Sequence, residues 1–157
     1  DSSRALLPER SGFADVDGVR IAYEVFGQGD ETILLLPPWA IVHSRFWKAQ
    51  IPYLARHFRV VAFDPRGNGR SDRPQTPDAY GPRMLERDAV AVLDAAGVDH
   101  CAMVVHCGSA AAGLLLCTNH RDRFRGAVDL APRDERLDRA GFAIVEIEGL
   151  AVLDADS

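Results

Sequence analysis

The sequence predicts an α/β fold, a mostly parallel sheet with helices on both faces and an antiparallel N-terminal hairpin. Short continuous apolar runs that end at turn residues recur along the chain, which is typical of strands buried on both faces. These runs alternate with stretches whose apolar residues recur at helical spacing. Near the start, the dipeptide Asp17-Gly18 separates two alternating segments and is a strong hairpin-turn signal.

The first half of the chain supplies the hairpin and two buried strands. Residues 12–27 alternate between apolar and polar positions on both sides of the Asp17-Gly18 turn, as expected of a hairpin. Residues 32–38 form a continuous apolar run that ends in two prolines, and residues 59–64 form another. Both runs predict strands without a solvent-exposed face.

A helix is predicted between those two strands, over residues 44–58. Its apolar residues recur at helical spacing, and Ser44 has the kind of side chain that favours an N-cap. Pro52 lacks a backbone donor and clashes with the preceding turn, so we expect it to kink or break this helix.

The second half continues the alternation and then loses it. Its predicted elements are a helix over 83–96 that Gly97 ends, a strand over 101–106, an apolar helix over 109–120 and a strand over 124–132. The tail predicts a solvated helical face and one or two further strands. We therefore divide the chain into a polar segment (1–11), an α/β domain (12–132) and a weakly patterned tail (133–157).

Composition and cysteine usage limit the class of function. The 157 residues are 47% hydrophobic with a net charge of −5, which indicates a globular protein without a nucleic-acid-binding surface. Three cysteines do not form an even framework, and no apolar stretch is long enough to span a membrane. We expect a cytoplasmic protein with a small-molecule substrate and without metal or cofactor. Because the first residue is Asp1, we also expect a processed start or an excerpt of a longer protein, with continuation into a further domain.

The glycine-containing loop "GNGRSD" (67–72) follows a predicted strand. It lacks the third glycine of a dinucleotide-binding loop, and two prolines after it prevent a long helix. We interpret it as a structural loop held by hydrogen bonds from Asp64 and Arg66.

The stretch "VVHCGSAAAG" (104–113) carries the strongest chemical signal. Chemistry in an open parallel sheet collects at the carboxyl ends of the strands, and Cys107 lies at such an end, directly before a helix. The helix N-terminus would stabilise a thiolate, and the small residues Gly108 and Ser109 permit a sharp turn. This arrangement indicates a nucleophile.

Four segments resemble the N-terminal half of the α/β-hydrolase fold superfamily: "LLLPPW", "FRVVAFDPRGNGRSDRP", "AGVDHCAMVVHCG" and "NHRDRFRGAVDLAP". Counted from either flank without a gap, Cys107 stands at the serine of the family's G-x-S-x-G elbow. The resemblance, over residues 12–132, implies hydrolysis of an ester-like or other acyl substrate through an acyl-Cys107 intermediate. It further implies that the N–H groups of Trp39 and Gly108 hold the oxyanion.

The elbow departs from the family pattern at both of its glycines. Val105 and Ser109 stand in their places, and we expect Val105 to crowd the turn. Ser109 is the alternative nucleophile, because Cys107 and Ala111 give it small neighbours, although this needs a two-residue slip against both flanks. A third interpretation makes Cys107 a small buried core residue.

The histidine that should activate the nucleophile is not evident. Chain geometry places His57, His100 and His120 far from the elbow, which leaves two candidates. His43 follows a strand and is expected to line the pocket as a substrate contact. His106 is adjacent to the nucleophile in the chain, so a pairing between the two would be strained.

The family's order is nucleophile, acid, histidine, and no histidine follows His120. Four aspartates are possible acids but are expected to be solvated: Asp129, Asp134, Asp154 and Asp156. The incomplete triad leaves three explanations: a piece of a longer hydrolase, a diverged end, or a non-catalytic domain. Two functions stay open, an acyl hydrolase and a ligand-binding or regulatory domain of the same fold.

Overall fold

The computed structural model describes residues 6–39, 41–129 and 143–145. Within them, seven strands form one sheet in the order β1-β2-β4-β3-β5-β6-β7. The strands are β1 (Arg10–Val16), β2 (Val19–Phe26), β3 (Thr32–Leu35), β4 (Arg59–Phe63), β5 (Cys101–Val105), β6 (Phe124–Asp129) and β7 (Ala143–Val145). The helices are α1 (Ile51–Leu54), α2 (Pro82–Ala96) and α3 (Ala110–Asn119).

The predicted N-terminal hairpin is confirmed. Strands β1 and β2 pair antiparallel, and both residues of the turn have positive φ, 53° at Asp17 and 82° at Gly18. This is the turn type whose twist matches that of a two-residue hairpin. Strand β2 then pairs antiparallel with β4, which joins the hairpin to the rest of the sheet.

The centre of the sheet is parallel, as predicted. Strands β4, β3, β5 and β6 pair in parallel, so their carboxyl ends share one edge. Strand β7 pairs antiparallel with β6 and comes from the tail, where one or two strands were expected. The rest of the tail beyond residue 129 lies outside the described residues.

Helices cover both faces of the sheet because the strand residues alternate in direction. Val61 and Phe63 pack in a cluster with apolar residues of α2 and α3, whereas Val60 and Ala62 pack on the opposite face with Trp47. All four are fully buried or nearly so. The short continuous apolar runs of the sequence therefore form strands that are buried on both faces, as the parallel arrangement requires.

The helix predicted over 44–58 is two short pieces, a 3₁₀ turn at Ser44–Ala49 and α1, so the expected break near Pro52 is confirmed. The expected N-cap at Ser44 is wrong. His43 is the cap, and its Nδ1 accepts a hydrogen bond from the backbone N–H of Arg45 at 3.2 Å. Ser44 is instead buried, and its own N–H donates to Asp64 Oδ1 at 2.9 Å.

The loop after β4 is held by Asp64, as interpreted from the sequence, whereas the Arg66 side chain bonds to Asp88 and to the Ala79 carbonyl, outside residues 67–72. Asp64 Oδ2 accepts the N–H of Arg70 at 3.0 Å, and a Cβ at Gly69, where φ is 50°, would clash with this carboxylate. The hydroxyl of Ser71 donates to the Asp64 carbonyl at 2.7 Å and accepts the N–H of Ala22 at 2.8 Å. These bonds hold the loop against β2 at the carboxyl edge of the sheet.

Candidate active site at the end of strand β5

Cys107 stands at the turn between β5 and α3, where the sequence placed it. A 3₁₀ turn, Cys107–Ser109, leads from the strand into the helix. The φ of Cys107 is 52°, in the left-handed region, which an L-residue adopts at a cost of about 1–3 kcal/mol. The side chain is exposed, so the interpretation of Cys107 as a buried core residue is wrong.

Ser109 is completely buried two residues further on. Its Oγ accepts the backbone N–H of His106 at 3.0 Å and donates to the His106 carbonyl at 3.1 Å. Both hydrogen-bonding roles of the hydroxyl are therefore used to close the turn around Cys107. This placement favours Cys107 over Ser109 as the nucleophile.

Gly108 lies against the segment that follows β3. A Cβ on Gly108 would lie 3.0 Å from the Pro38 carbonyl oxygen and 3.7 Å from the Cα of Trp39. The same segment is fixed upstream, where the Leu36 N–H donates to the Val104 carbonyl at 3.0 Å and the Trp47 indole N–H donates to the Leu36 carbonyl at 3.1 Å. The two residues expected to hold an oxyanion therefore come from adjoining backbone segments.

His106 forms one wall beside the turn. Its ring stacks on that of Phe46, with centroids 5.9 Å apart and an angle of 21° between the planes. Its Nδ1 is buried and has no hydrogen-bond partner among the described residues. Phe46 is an apolar residue of the helix predicted over 44–58, yet 45% of its surface is exposed. No sequence pattern indicated this stacked pair.

The remaining histidines have partners elsewhere. The ring of His57 contacts two aromatic neighbours, His100 Nδ1 lies 2.8 Å from the Asp122 carbonyl, and His120 Nε2 lies 3.2 Å from Glu86 Oε1. His43 is engaged through its cap hydrogen bond. All five histidines of the chain thus contact groups other than Cys107, and the described residues place no imidazole on the thiol.

A cavity of about 220 Å³ opens beside Gly108 and Trp39. The other residues lining it come from the loop after β4, from the segment before α2 and from α2 itself: Pro37, Pro65, Arg66, Tyr80, Gly81, Pro82, Leu85 and Asp88. Arg66 binds Asp88 through two hydrogen bonds, Nε to Oδ2 at 2.8 Å and Nη2 to Oδ1 at 2.6 Å. Burial raises the pKa of Asp88, although the Arg66 guanidinium opposes that effect.

The sequence profile of the alpha/beta hydrolase fold matches residues 31–144. The chain belongs to the alpha/beta hydrolase fold family. The matched region contains the parallel strands and the turn after β5. The antiparallel N-terminal hairpin directly precedes it.

Relatives of this chain are named as enzymes, several of them as hydrolases and one as a dioxygenase. The chain is 39% identical over 111 residues to a Caulobacter segnis protein named "Putative carbamate hydrolase RutD". The aligned residues cover 69% of this chain and 40% of that relative. Among solved structures, a Vigna radiata epoxide hydrolase mutant is 30% identical with a TM-score of 0.70, covering 81% of this chain and 41% of that one. Est816, described as an N-acyl homoserine lactone degrading enzyme, is 32% identical with a TM-score of 0.70, covering 76% and 45%. The chain therefore spans about two fifths of the length of the relatives it matches.

The part of the chain that the structure describes does not locate the acid of a catalytic triad. Asp134, Asp154 and Asp156 lie outside the described residues, and Asp129 is described only as the last residue of β6. Within the described ranges, no group of three or more His, Cys, Asp or Glu residues is arranged to hold a metal ion. In the same ranges, no helix is long and apolar enough to cross a membrane.

The three cysteines of this alpha/beta hydrolase fold chain are free thiols in different surroundings. Cys101 is buried in the core, and burial raises its pKa to about 12. Cys117 is half-buried on α3, and burial raises its pKa as well. Cys107 is the exposed thiol of the three.

Proposed function

We propose that this chain carries the nucleophile-bearing half of a hydrolase of ester-like or other acyl substrates, with Cys107 as the nucleophile. The observation that carries the proposal is the exposed thiol at φ 52°, held between β5 and α3 and followed by Gly108, which lines a cavity. A residue in this position projects from the backbone into the space at the carboxyl edge of the sheet. That edge is where open α/β sheets bind their ligands.

The first chemical step follows from the groups around the thiol. The Cys107 sulfur attacks the carbonyl carbon of the substrate, and the carbonyl oxygen gains negative charge. The N–H groups of Trp39 and Gly108 hold that oxyanion. When the intermediate collapses, the leaving group departs with the thiol proton, and the acyl group remains on Cys107 as a thioester.

The second step needs a base, which the chain's own histidines do not supply. We propose that the acid and histidine of the usual triad are not among the residues described, so that this chain is the part of the enzyme that becomes acylated. His106, stacked on Phe46, and His43 would contact the substrate beside the sulfur. Carbamates and lactones, for which two relatives are named, are carbonyl compounds and fit attack at an acyl carbon.

A non-catalytic ligand-binding or regulatory domain of the same fold is the second candidate. The observation that favours it is that each of the five histidines contacts a group other than the thiol. Such a domain would retain the cavity and bind a small molecule without forming a covalent bond.

We also propose that the protein works in the cytoplasm. The buried thiol of Cys101 and the half-buried thiol of Cys117 are both unpaired, which fits a reducing compartment. The partner we propose is a small-molecule substrate.

The proposal is tested on the full chain by incubation with p-nitrophenyl acetate and measurement of the intact mass. We expect one acetyl group per chain, located on Cys107 by peptide mapping, and no acetylation of that peptide in Cys107→Ala. Ser109→Ala is the matched control, because it removes a neighbouring nucleophilic atom, and it should still be acetylated. Acetylation that survives Cys107→Ala and disappears in Ser109→Ala would reverse the assignment. A folded chain that takes up no acetyl group would favour the ligand-binding domain.

A further inference from the structure

We infer that the cavity beside Gly108 and Trp39 is the acyl-binding pocket, and that it selects an uncharged, apolar acyl group the size of one aromatic ring or a medium-length alkyl chain. The inference rests on the proposed function, because it names the substrate class of the same site. It adds the specificity-determining residue Leu85, which the sequence did not indicate.

The position of the cavity assigns it to the acyl group. Trp39 and Gly108, whose N–H groups would hold the carbonyl oxygen, both line it. The two other substituents on the reacting carbon are the acyl chain, which stays attached to Cys107, and the leaving group, which must depart. Cys107 itself is exposed, so the leaving group has a path to solvent, whereas the lined cavity suits the group that remains bound.

The volume sets the size of that group. A protein cavity of about 150 Å³ accommodates one benzene molecule. The cavity here is about 220 Å³, which leaves room for an aromatic ring and a few further atoms. An acetyl group would leave most of the volume unfilled, and a long fatty acyl chain would exceed it.

The polarity of the walls excludes a charged acyl group. Prolines, Trp39 and Leu85 supply apolar surface. The polar side chains that line the cavity are already bonded within the protein: Arg66 to Asp88 and to the Ala79 carbonyl at 2.8 Å, and the Tyr80 hydroxyl to the Pro74 carbonyl at 2.8 Å. Asp88 is completely buried and Arg66 is 6% exposed. Because the two opposite charges are paired, they add no net charge to the cavity wall. A carboxylate in the acyl group would lose its hydration without gaining an equivalent partner.

Leu85 offers a side chain by which the size of the pocket can be changed. It lies in the first half of α2, is half-buried, and lines the cavity beside Asp88. Leu85→Phe would fill part of the volume, and Leu85→Ala would enlarge it. Leu114→Ala on α3 is the matched control, because Leu114 is exposed and does not line this cavity.

The experiment compares acylation of Cys107 by p-nitrophenyl esters of acetate, hexanoate, benzoate, 4-carboxybenzoate and dodecanoate. Rates are followed by intact mass and divided by the rate of each ester with glutathione, which removes intrinsic reactivity. We expect hexanoyl and benzoyl transfer to exceed acetyl, carboxybenzoyl and dodecanoyl transfer by at least about tenfold. Leu85→Phe should lower the hexanoyl and benzoyl rates by about tenfold while the acetyl rate changes less than about twofold. Leu85→Ala should favour longer chains, and Leu114→Ala should resemble the unmodified chain.

A second readout separates the pocket from the chemistry. Benzamide does not acylate a thiol, so its binding to Cys107→Ala, followed by the chemical shift of the Gly108 backbone amide, tests the pocket alone, because Gly108 lines the cavity and is retained in every variant. We expect binding that benzoate does not reproduce and that Leu85→Phe removes. Failure of every ester to acylate Cys107 together with benzamide binding would overturn the proposed function and support the pocket. A flat ester profile, or absence of benzamide binding, would overturn the pocket.

Discussion

Val105, the last residue of β5, lies directly against Gly113 of α3. A Cβ built on Gly113 would lie only 2.6 Å from Val105 Cγ1, and the valine is 5% exposed. The sequence predicted that Val105, in place of an elbow glycine, would crowd the turn. The structure shows that the facing helix supplies the space instead, because its glycine allows α3 to approach β5. Cys107 keeps its left-handed conformation and its exposure next to this contact.

Gly113→Ala is therefore expected to destabilise the protein. Alanine normally stabilises a helix interior relative to glycine by about 0.5–1 kcal/mol. Here the new methyl group must displace a β-branched side chain, and overpacking of a core costs about 1–3 kcal/mol. Urea unfolding should show a net loss of stability. In a Val105→Ala background the methyl group has space, so the same change should be neutral or stabilising. Equal losses in both backgrounds would contradict the contact.

Ser109→Ala tests whether the serine closes the turn. The buried hydroxyl bonds to the N–H and the carbonyl of His106, so its removal takes a partner from the part-buried N–H, whereas the carbonyl keeps the Ser109 backbone N–H at 3.2 Å. A loss of about 1–3 kcal/mol in the free energy of unfolding is expected. Thr118→Ala is the control, because its exposed hydroxyl donates to the Leu114 carbonyl at 2.8 Å. That variant should lie within about 0.5 kcal/mol of the unmodified protein. Equal effects of the two substitutions would argue against a closing role for Ser109.

The three thiols should react with iodoacetamide in a fixed order. Cys107 is exposed and should be alkylated first, Cys117 is half-buried and should follow, and Cys101 should stay unreacted while the protein is folded. Burial raises the pKa of Cys101 to about 12, so very little thiolate is present at neutral pH. Peptide mass spectrometry over time measures the order, and alkylation in urea serves as the control in which all three should react. Early labelling of Cys101 in the folded chain would contradict the described core.

Much of the fold was predictable because its signals are local. The Asp17-Gly18 turn and the end of α2 at Gly97, where φ is 68°, follow from the backbone preferences of two or three adjacent residues. The alternation of strands and helices gave the parallel sheet for the same reason. The strand pattern that ends before Cys107 and the helical pattern that begins after it predicted that this residue lies at a strand-to-helix turn.

The predictions fail where a contact with a residue far away in the chain determines the local structure. Ser44 fails as an N-cap because Asp64, twenty residues later, accepts its backbone N–H. The cavity could not be predicted because its wall depends on Arg66 finding Asp88 on another element. The stacking of Phe46 likewise depends on His106, sixty residues away in the chain.

The ion pair between Arg20 and Asp72 gives the protein a measurable dependence on pH. Hydrogen bonds from the Arg20 side chain, with Nη2 3.1 Å from Oδ1, and from its backbone N–H at 2.8 Å lower the pKa of Asp72 below its ordinary value. The unfolded carboxyl therefore binds a proton at a higher pH than the folded one. The pair contributes its full stabilisation above the ordinary carboxyl pKa, and the contribution is lost as the pH falls toward the lowered value.

Asp72→Asn should therefore be less stable than the unmodified chain at pH 6 to 7, and the difference should shrink as the pH falls from about 5 to 3. Because both proteins share every other carboxylate, the difference between their urea unfolding free energies isolates this pair. Asp30→Asn, which changes an exposed carboxylate in the connection between β2 and β3, is the control and should show no such convergence. A difference that stays constant or grows toward low pH would mean that Asp72 holds the loop through hydrogen bonds that do not depend on its charge. In that case the neutral asparagine would have weakened the loop through geometry alone, and the lowered pKa would play no part in stability.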